Sequence, residues 1–383
     1  MNKWFVASQW MGLALAAGLV SAWTGLSVSL MEIFGGILGG NLLRLQGTEW
    51  VTFLAGFGSV LLTFMAGAEI EPEVLRKHLR ESLSIGFVSF LFPFLGGVAY
   101  CYYVARWTLP AAEIGGIAIS TTSVAVVYAV MVETGLNRVE LGKRLLAACF
   151  VTDLGTVLAL GVLFANYNAW LGLFAVITAA VLAVLPRFGR WFFRQYGGRV
   201  SELEIKITFL LLFVLGGLAT QANSEAVLPA YLLGLVVAPL FAQHRDMVRR
   251  LRTTVFAFLT PFYFLRAGSF VHFGAVWNNF GLVVILLLVK MVAKFVGVWP
   301  LTRAFRFGRR EGYYTTLLMS TGLTFGTISA LFGLDRHLIT QAQYAVLVTV
   351  VIGSAFLPTL IAQTFFQPAL PAPTGGGEAG EEA

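Results

Sequence analysis

The sequence predicts an all-α integral membrane protein of thirteen transmembrane helices, two inverted six-helix repeats joined by a linker helix. Three observations carry that expectation. The 383-residue chain is 58% hydrophobic and only 12% charged, with a mean hydropathy of +0.81, whereas roughly one-quarter of the residues in a soluble domain are charged. Its apolar runs reach about 20 residues, the length that crosses the hydrocarbon core as a helix and too long for barrel strands. Its basic residues crowd into alternate loops.

Taken in order, the first span is Phe5 to Trp23, with Lys3 ahead of it. A charged start before an apolar core also suits a signal peptide, but no small-residue cleavage pattern follows. The second, Ser27 to Leu43, is short and carries Glu32, so it either faces a water-filled funnel or is partly re-entrant. The third, Val51 to Ile70, closes on Glu69, and the fourth is Leu83 to Val104. The fifth, Ala112 to Glu133, holds the polar cluster Ser120, Thr121, Thr122 and Ser123. Glu69 and Glu133, at span ends, are expected to be solvated. The sixth, Leu141 to Ala165, carries a lone acid, Asp153, at its midpoint. A carboxylate at the bilayer centre costs roughly 2.5–3.5 kcal/mol on insertion scales, so an intramembrane acid points to function.

The seventh span, Trp170 to Leu185, is the linker. Ile207 to Thr220, Ala226 to Phe241 and Thr253 to Phe270 follow, the last with Arg266 near its end. The eleventh, Phe280 to Leu301, contains Lys290 and Lys294, four residues apart and therefore on one helical face. Lys294 lies nearer the span end, where a lysine can snorkel; Lys290 is too central for that. The twelfth, Gly312 to Leu334, holds Ser320, Thr321 and Thr324, and the thirteenth is Ala342 to Phe365. Residues 367–383, rich in Pro, Gly and Glu, cannot build a core and are expected to be a disordered cytoplasmic tail.

Charge sets the expected orientation. The net charge is +7, but nucleic acid is not implied, because the basic residues are distributed as a topology signal. Nineteen sit on one side: Arg76, Lys77, Arg80; Arg138, Lys143, Arg144; Arg187, Arg190, Arg194, Arg199, Lys206; Arg245, Arg249, Arg250, Arg252; and Arg303, Arg306, Arg309, Arg310. Only Lys3, Arg44, Arg106, Arg266 and Arg336 sit on the other. The positive-inside rule makes the first side cytoplasmic, with the N-terminus outside and the C-terminus inside; the expected location is the plasma (inner) membrane.

Ile119-Ser120-Thr121-Thr122-Ser123 in the fifth span echoes Met319-Ser320-Thr321-Gly322-Leu323-Thr324 in the twelfth, the same place in each half. Such clusters pack helices together in many membrane proteins. At matched positions near an intramembrane acid they suggest two interrupted helices, whose freed backbone groups hydroxyls can satisfy. Cys101 and Cys149 lie in apolar runs and receive no role.

Together these pieces carry a resemblance. Phe64-Met65-Ala66-Gly67-Ala68-Glu69, Ser120 to Ala125, the sixth span at Asp153, Thr260-Pro261-Phe262-Tyr263-Phe264, Lys294-Phe295-Val296-Gly297 and Met319 to Gly326 resemble, in this order, the cation/proton antiporter superfamily, specifically the bacterial sodium/proton antiporter and potassium-efflux branch (monovalent cation:proton antiporter-2 type). The resemblance implies two crossed discontinuous helices and one transmembrane exchanger domain over residues 1–366. It implies a core (about 83–166 and 278–366) moving like an elevator against a dimerising panel (about 1–75 and 205–271), and a homodimer. It further implies that Asp153 binds a cation or a proton and that Lys294, followed three residues later by Gly297, is its basic partner, with Lys290 as the alternative. Where many members place a second acid or an asparagine before the aspartate, this chain has Thr152. No nucleotide-binding domain and no cofactor are implied.

The residues support that chemistry directly. A dehydrated Na⁺ or K⁺ needs several oxygens, and Asp153, Thr152, the Thr122/Ser123 and Thr321/Thr324 hydroxyls and the carbonyls of a broken helix could supply them. Competition of H⁺ and cation for one carboxylate then gives exchange. If Lys294 also releases its proton, two protons move per ion and transport is electrogenic; if not, exchange is one for one. The alternatives are a potassium-efflux exchanger or channel-like protein and a sodium-coupled organic-anion symporter. An intramembrane enzyme is not supported: there is no His-Glu-x-x-His and no paired membrane aspartates, and His78, His244, His272 and His337 fall in loops or at edges.

Overall fold

The structure, a computed structural model, describes residues 2–24, 26–43, 45, 47–68, 77–164, 169–199, 201–222, 226–271 and 273–368. Arg44, Glu69, Arg76, His272 and positions 369–383 of the tail lie outside the described residues. The described residues are helical throughout, without a strand, and nine helices among them are long and apolar enough to cross a membrane.

In order the helices are α1 (Lys3–Thr24), α2 (Val28–Leu42), α3 (Glu49–Ala68), α4 (Leu79–Ala99), α5 (Leu109–Ser120), α6 (Val124–Glu133), α7 (Glu140–Phe164), α8 (Ala169–Tyr196) and α9 (Leu203–Gln221). Next come α10 (Val227–Phe241), α11 (Arg245–Thr254), α12 (Thr260–Ser269), α13 (Phe273–Asn278), α14 (Phe280–Ala304), α15 (Arg309–Met319), α16 (Thr324–Asp335) and α17 (Gln341–Ile361). A π turn over Val255–Leu259 joins α11 to α12, and another over Ala362–Phe366 ends α17.

The polar clusters of the sequence are where two helices break. Thr121 (ψ 151°) and Ser123 (ψ 110°) are extended between α5 and α6, and Leu323 (φ −149°, ψ −73°) is non-helical before α16. Ser and Thr hydroxyls compete for backbone partners and Gly322 adds freedom, so the ladder stops there. Away from the clusters the hydroxyls that remain bond carbonyls of their own helix, as Thr316 does with Gly312 and Ser329 with Phe325, and the helix continues.

Two packing groups surround the breaks. In one, α1 and α12 flank α2, while α10 and α12 flank α3. Trp10 of α1, 1% exposed, stacks on Phe262 of α12 with ring centroids 5.9 Å apart, so the first span is built into the bundle. The α2–α12 contact is backbone on backbone. A Cβ at Gly36 would collide with the Leu265 carbonyl, one at Gly40 would come within 2.8 Å of the Ser269 carbonyl, and one at Gly268 would collide with the Ile33 carbonyl. Gly67 of α3 and Gly234 of α10 make the same reciprocal approach. Small residues permit this and close packing drives it in lipid. In the second group α4 packs against α5, α7 and α14, and α17 against α14 and α16.

Candidate functional site: a buried carboxylate at two helix breaks

The two breaks lie against each other. The Ser123 N–H donates to the Thr321 carbonyl at 3.2 Å, and the Thr122 hydroxyl donates to the Met319 carbonyl at 2.7 Å. Ser123 Oγ and Thr324 Oγ1 are 3.2 Å apart, and the Tyr263 hydroxyl from α12 reaches Thr324 Oγ1 at 2.6 Å. Each interrupted helix thus fills backbone valences of the other.

Asp153, on α7, is 3% exposed, and its Oδ1 has no hydrogen-bond partner. The backbone N–H of Val124, the first residue of α6, hydrogen-bonds the carboxylate, and Lys294 acts on it electrostatically. The carboxylate therefore sits where a half-helix N-terminus directs its free N–H groups and partial positive charge.

Both lysines of α14 are fully buried. Lys294 Nζ donates to Ser89 Oγ of α4 at 2.7 Å and to Thr122 Oγ1 at 2.9 Å. Lys290 Nζ donates to the Thr121 carbonyl at 3.1 Å, at the C-terminal end of α5, and to Ser354 Oγ of α17 at 2.9 Å. It also lies against Gly322 in the second break, where a Cβ would meet it. The two lysines reach different partners: Lys294 acts on Asp153, while Lys290 meets the carbonyl end of a half-helix, where positive charge is favourable.

The remaining expected residues divide clearly. Thr122, Ser123, Thr321 (through its carbonyl) and Thr324 meet across the breaks. Thr152 does not: its hydroxyl donates to the Gly86 and Ala148 carbonyls, each at 3.1 Å, on the side of α7 that faces α4. Ser120 Oγ bonds the Ile117 carbonyl and Ser320 Oγ the Thr316 carbonyl, both within their own helices. Arg266 stacks over Phe270 at 5.1 Å. Glu133 departs from the solvated position expected of it. It is partly buried, and its Oε1 accepts the Ser29 hydroxyl and N–H at the start of α2. Glu32 is 2% exposed, so it faces neither a water-filled funnel nor the surface.

Sequence reasoning missed Ser89 and Ser354, each a hydroxyl in an apolar span that serves a buried lysine, and it gave Tyr263 no role. A cavity of about 640 Å³ between α3, α9, α10 and α16 includes Ser59 and Thr324 in its lining, beside that tyrosine.

Known proteins agree with this architecture. The sodium proton antiporter MjNhaP1 of Methanocaldococcus jannaschii superposes with a TM-score of 0.71 at 17% identity, over 95% of this chain and 96% of that one, a likeness of fold. By sequence, the chain is 22% identical to the probable Na⁺/H⁺ antiporter 3 of the same archaeon, over 89% of each. It is 25% identical to Na⁺/H⁺ antiporter NhaS4 of Synechocystis, over 94% of this chain and 95% of that relative. It also matches cation/H⁺ antiporter 18 of Arabidopsis thaliana at 22% identity, but spans only 41% of that longer protein. The family model described as sodium/hydrogen exchanger, transmembrane, matches residues 11–367, and the chain, a multi-pass membrane protein, belongs to the sodium/hydrogen exchanger family.

Proposed function

We propose that this protein is a secondary active transporter that exchanges a monovalent cation, Na⁺ before K⁺, for protons, with the two competing at Asp153. The observation that carries this reading is a fully enclosed carboxylate with an unpartnered oxygen where two helix breaks bring hydroxyls and carbonyls together. A bare carboxylate there is costly, and either a proton or a cation relieves it. One ligand excludes the other, so exchange needs no separate coupling device.

The chain's residues divide the work. Asp153 takes the ion, and Thr122, Ser123 and Thr324 supply hydroxyl oxygens beside it. Thr152 stands outside the ligand set in this reading, because its hydroxyl is turned towards α4 and the Gly86 carbonyl. Lys294 balances the carboxylate when no cation is present, and its release from Ser89 and Thr122 would free oxygens for the ion. Lys290 holds the break. The thirteen-span, inverted-repeat arrangement, with an elevator-like core moving against a dimerising panel, completes the proposal. The matching glycine contacts of α2 with α12 and of α3 with α10 support it, since inverting the halves exchanges those pairs.

The test is cation-induced dissipation of an imposed pH gradient in proteoliposomes, with Na⁺, K⁺ and Li⁺, on wild type and Asp153→Asn. Collapse of the gradient by one cation in wild type and not in the variant supports the reading and identifies the ion. Silence of wild type with all three, or an unaffected variant, overturns it.

A further inference from the structure

Two carboxylates stand outside the site just described. α2 begins at Ser27, whose hydroxyl accepts the Leu30 N–H at 3.4 Å as an N-cap. Its first turn meets two other elements. Gln363 Oε1, in the π turn ending α17, accepts the Ser27 N–H at 3.2 Å. Glu133 Oε1, at the end of α6, accepts the Ser29 N–H at 3.2 Å and the Ser29 hydroxyl at 2.5 Å. Glu32 lies three residues beyond Ser29, on the same face of α2, and is electrostatically coupled to Glu133. Glu32 Oε2, Glu133 Oε2 and Gln363 Nε2 are all buried without a hydrogen-bond partner. Gln363 is 8% exposed and Glu32 2%.

The charge around this cluster is uneven. The N-terminus of α2 offers roughly half an elementary charge, and with the Ser27, Val28 and Ser29 donors around Glu133 it serves one carboxylate. Nothing among the described residues balances the second. On the packed elements, α1 has only Lys3, at its far end. α12 has only Arg266, beside Gly47 at the other end of α2, with Tyr344 of α17 acting on it there. α6 adds Tyr128 and Glu133 itself, and the turn after it carries Arg138, which is exposed. Two buried carboxylates beside one half-charge hold a proton between them rather than both ionising.

We infer that Glu32 and Glu133 form a second proton-binding site, separate from Asp153, in which the two carboxylates share one proton beside the Gln363 side chain. This site sits at the seam between α2 and the broken helix. α6 runs from Val124 at Asp153 to Glu133 at this seam, so loss of the shared proton repels α2 from the helix that positions the exchange carboxylate. That coupling rests on the exchanger reading; the proton site does not.

The experiment has two arms on the full chain in liposomes. The first is pH-difference infrared spectroscopy of the carboxyl C=O stretch in wild type, Glu32→Gln, Glu133→Gln and Asp153→Asn. The expected result is a protonated-carboxyl band that disappears on alkaline titration, is lost in both Gln variants and is kept in Asp153→Asn. An unchanged band in both Gln variants overturns the site; if Glu133→Gln does not fold, Glu133→Asp carries the test by a shifted band. The second arm is the pH profile of gradient collapse, expected to move by about one unit in Glu32→Gln. An unmoved profile with active wild type removes the coupling while exchange stands. A silent wild type with the expected infrared behaviour removes the exchange reading while the proton site stands.

Discussion

Thr324 is where α12 touches the second helix break, and its replacement tests whether that hydroxyl holds the site together. Thr324→Val keeps the shape and removes Oγ1, which serves Tyr263 OH at 2.6 Å and Ser123 Oγ at 3.2 Å. Ser123 Oγ keeps a second partner, the Val126 N–H at 3.4 Å, and the Tyr263 hydroxyl keeps the Ser123 and Ser59 hydroxyls, so the cost is that of the two lost hydrogen bonds. Each contributes about 0.5–1.5 kcal/mol, and a net loss of about 2 kcal/mol is expected. Thr324→Ser keeps the hydroxyl and forfeits one methyl, about 0.8 kcal/mol. Tyr263→Phe alone removes the bond to Thr324, which keeps Ser123, and costs about 0.5–1.5 kcal/mol, whereas the double variant Thr324→Val/Tyr263→Phe loses that shared bond once and falls short of additivity by about 1 kcal/mol. Equilibrium unfolding in mild detergent, followed by tryptophan fluorescence, measures all four. Additive single effects, or a valine variant as stable as the serine variant, would refute the idea that this hydroxyl bridges α12 and the break.

Further expectations follow from the same geometry. Lys294→Gln should leave the protein folded and reduce exchange at least tenfold, about 1.4 kcal/mol in the barrier, whereas Ser89→Ala, which removes one of its two anchors, should shift cation affinity instead; proteoliposome kinetics separate the two. Gly36→Leu should abolish folded protein, because its Cβ runs into the Leu265 backbone, while Gly18→Leu, with nothing within 4 Å, should be tolerated; yield of monodisperse protein reports the difference. At the loop edge Lys77 holds the Glu140 carboxyl below its usual range, chiefly through a hydrogen bond. A depressed carboxylate stabilises the fold above its unfolded pKa, and that contribution disappears as pH falls through the lower folded value. Lys77→Gln should therefore slightly weaken stability at neutral pH and leave it unchanged in strong acid, with the difference small and erased by salt because the pair is exposed.

Much of the site was legible because it violates the pattern around it. A carboxylate midway along the 25-residue helix α7 and two hydroxyl clusters at matched positions are outliers that membrane energetics explains. What was illegible depends on partners distant in the chain. Ser89 and Ser354 look like any isolated serine until α14 brings a lysine to each. Thr152 precedes Asp153 in sequence, but one residue is about 100° around a helix, and that rotation turns it towards Gly86. Glu133 reads as solvated because it ends a span, while its actual neighbour, the start of α2, is about a hundred residues earlier. The glycines of α2 were readable: Gly36 and Gly40 are spaced as a small-xxx-small face, and both meet α12.

Those glycines bear on how the chain is assembled. A 15-residue helix such as α2 is about 22 Å long, shorter than the roughly 30 Å hydrocarbon core, and it carries Glu32. Its backbone-to-backbone partner, α12, is synthesised more than two hundred residues later. During that interval α2 has α1, lipid and, once α6 is made, Glu133 for company. The protein's biogenesis therefore contains a long period in which a short, acid-bearing span awaits its mate, and α3 waits likewise for α10. Nascent-chain crosslinking of α2 to the insertion machinery should persist until α12 emerges and then cease.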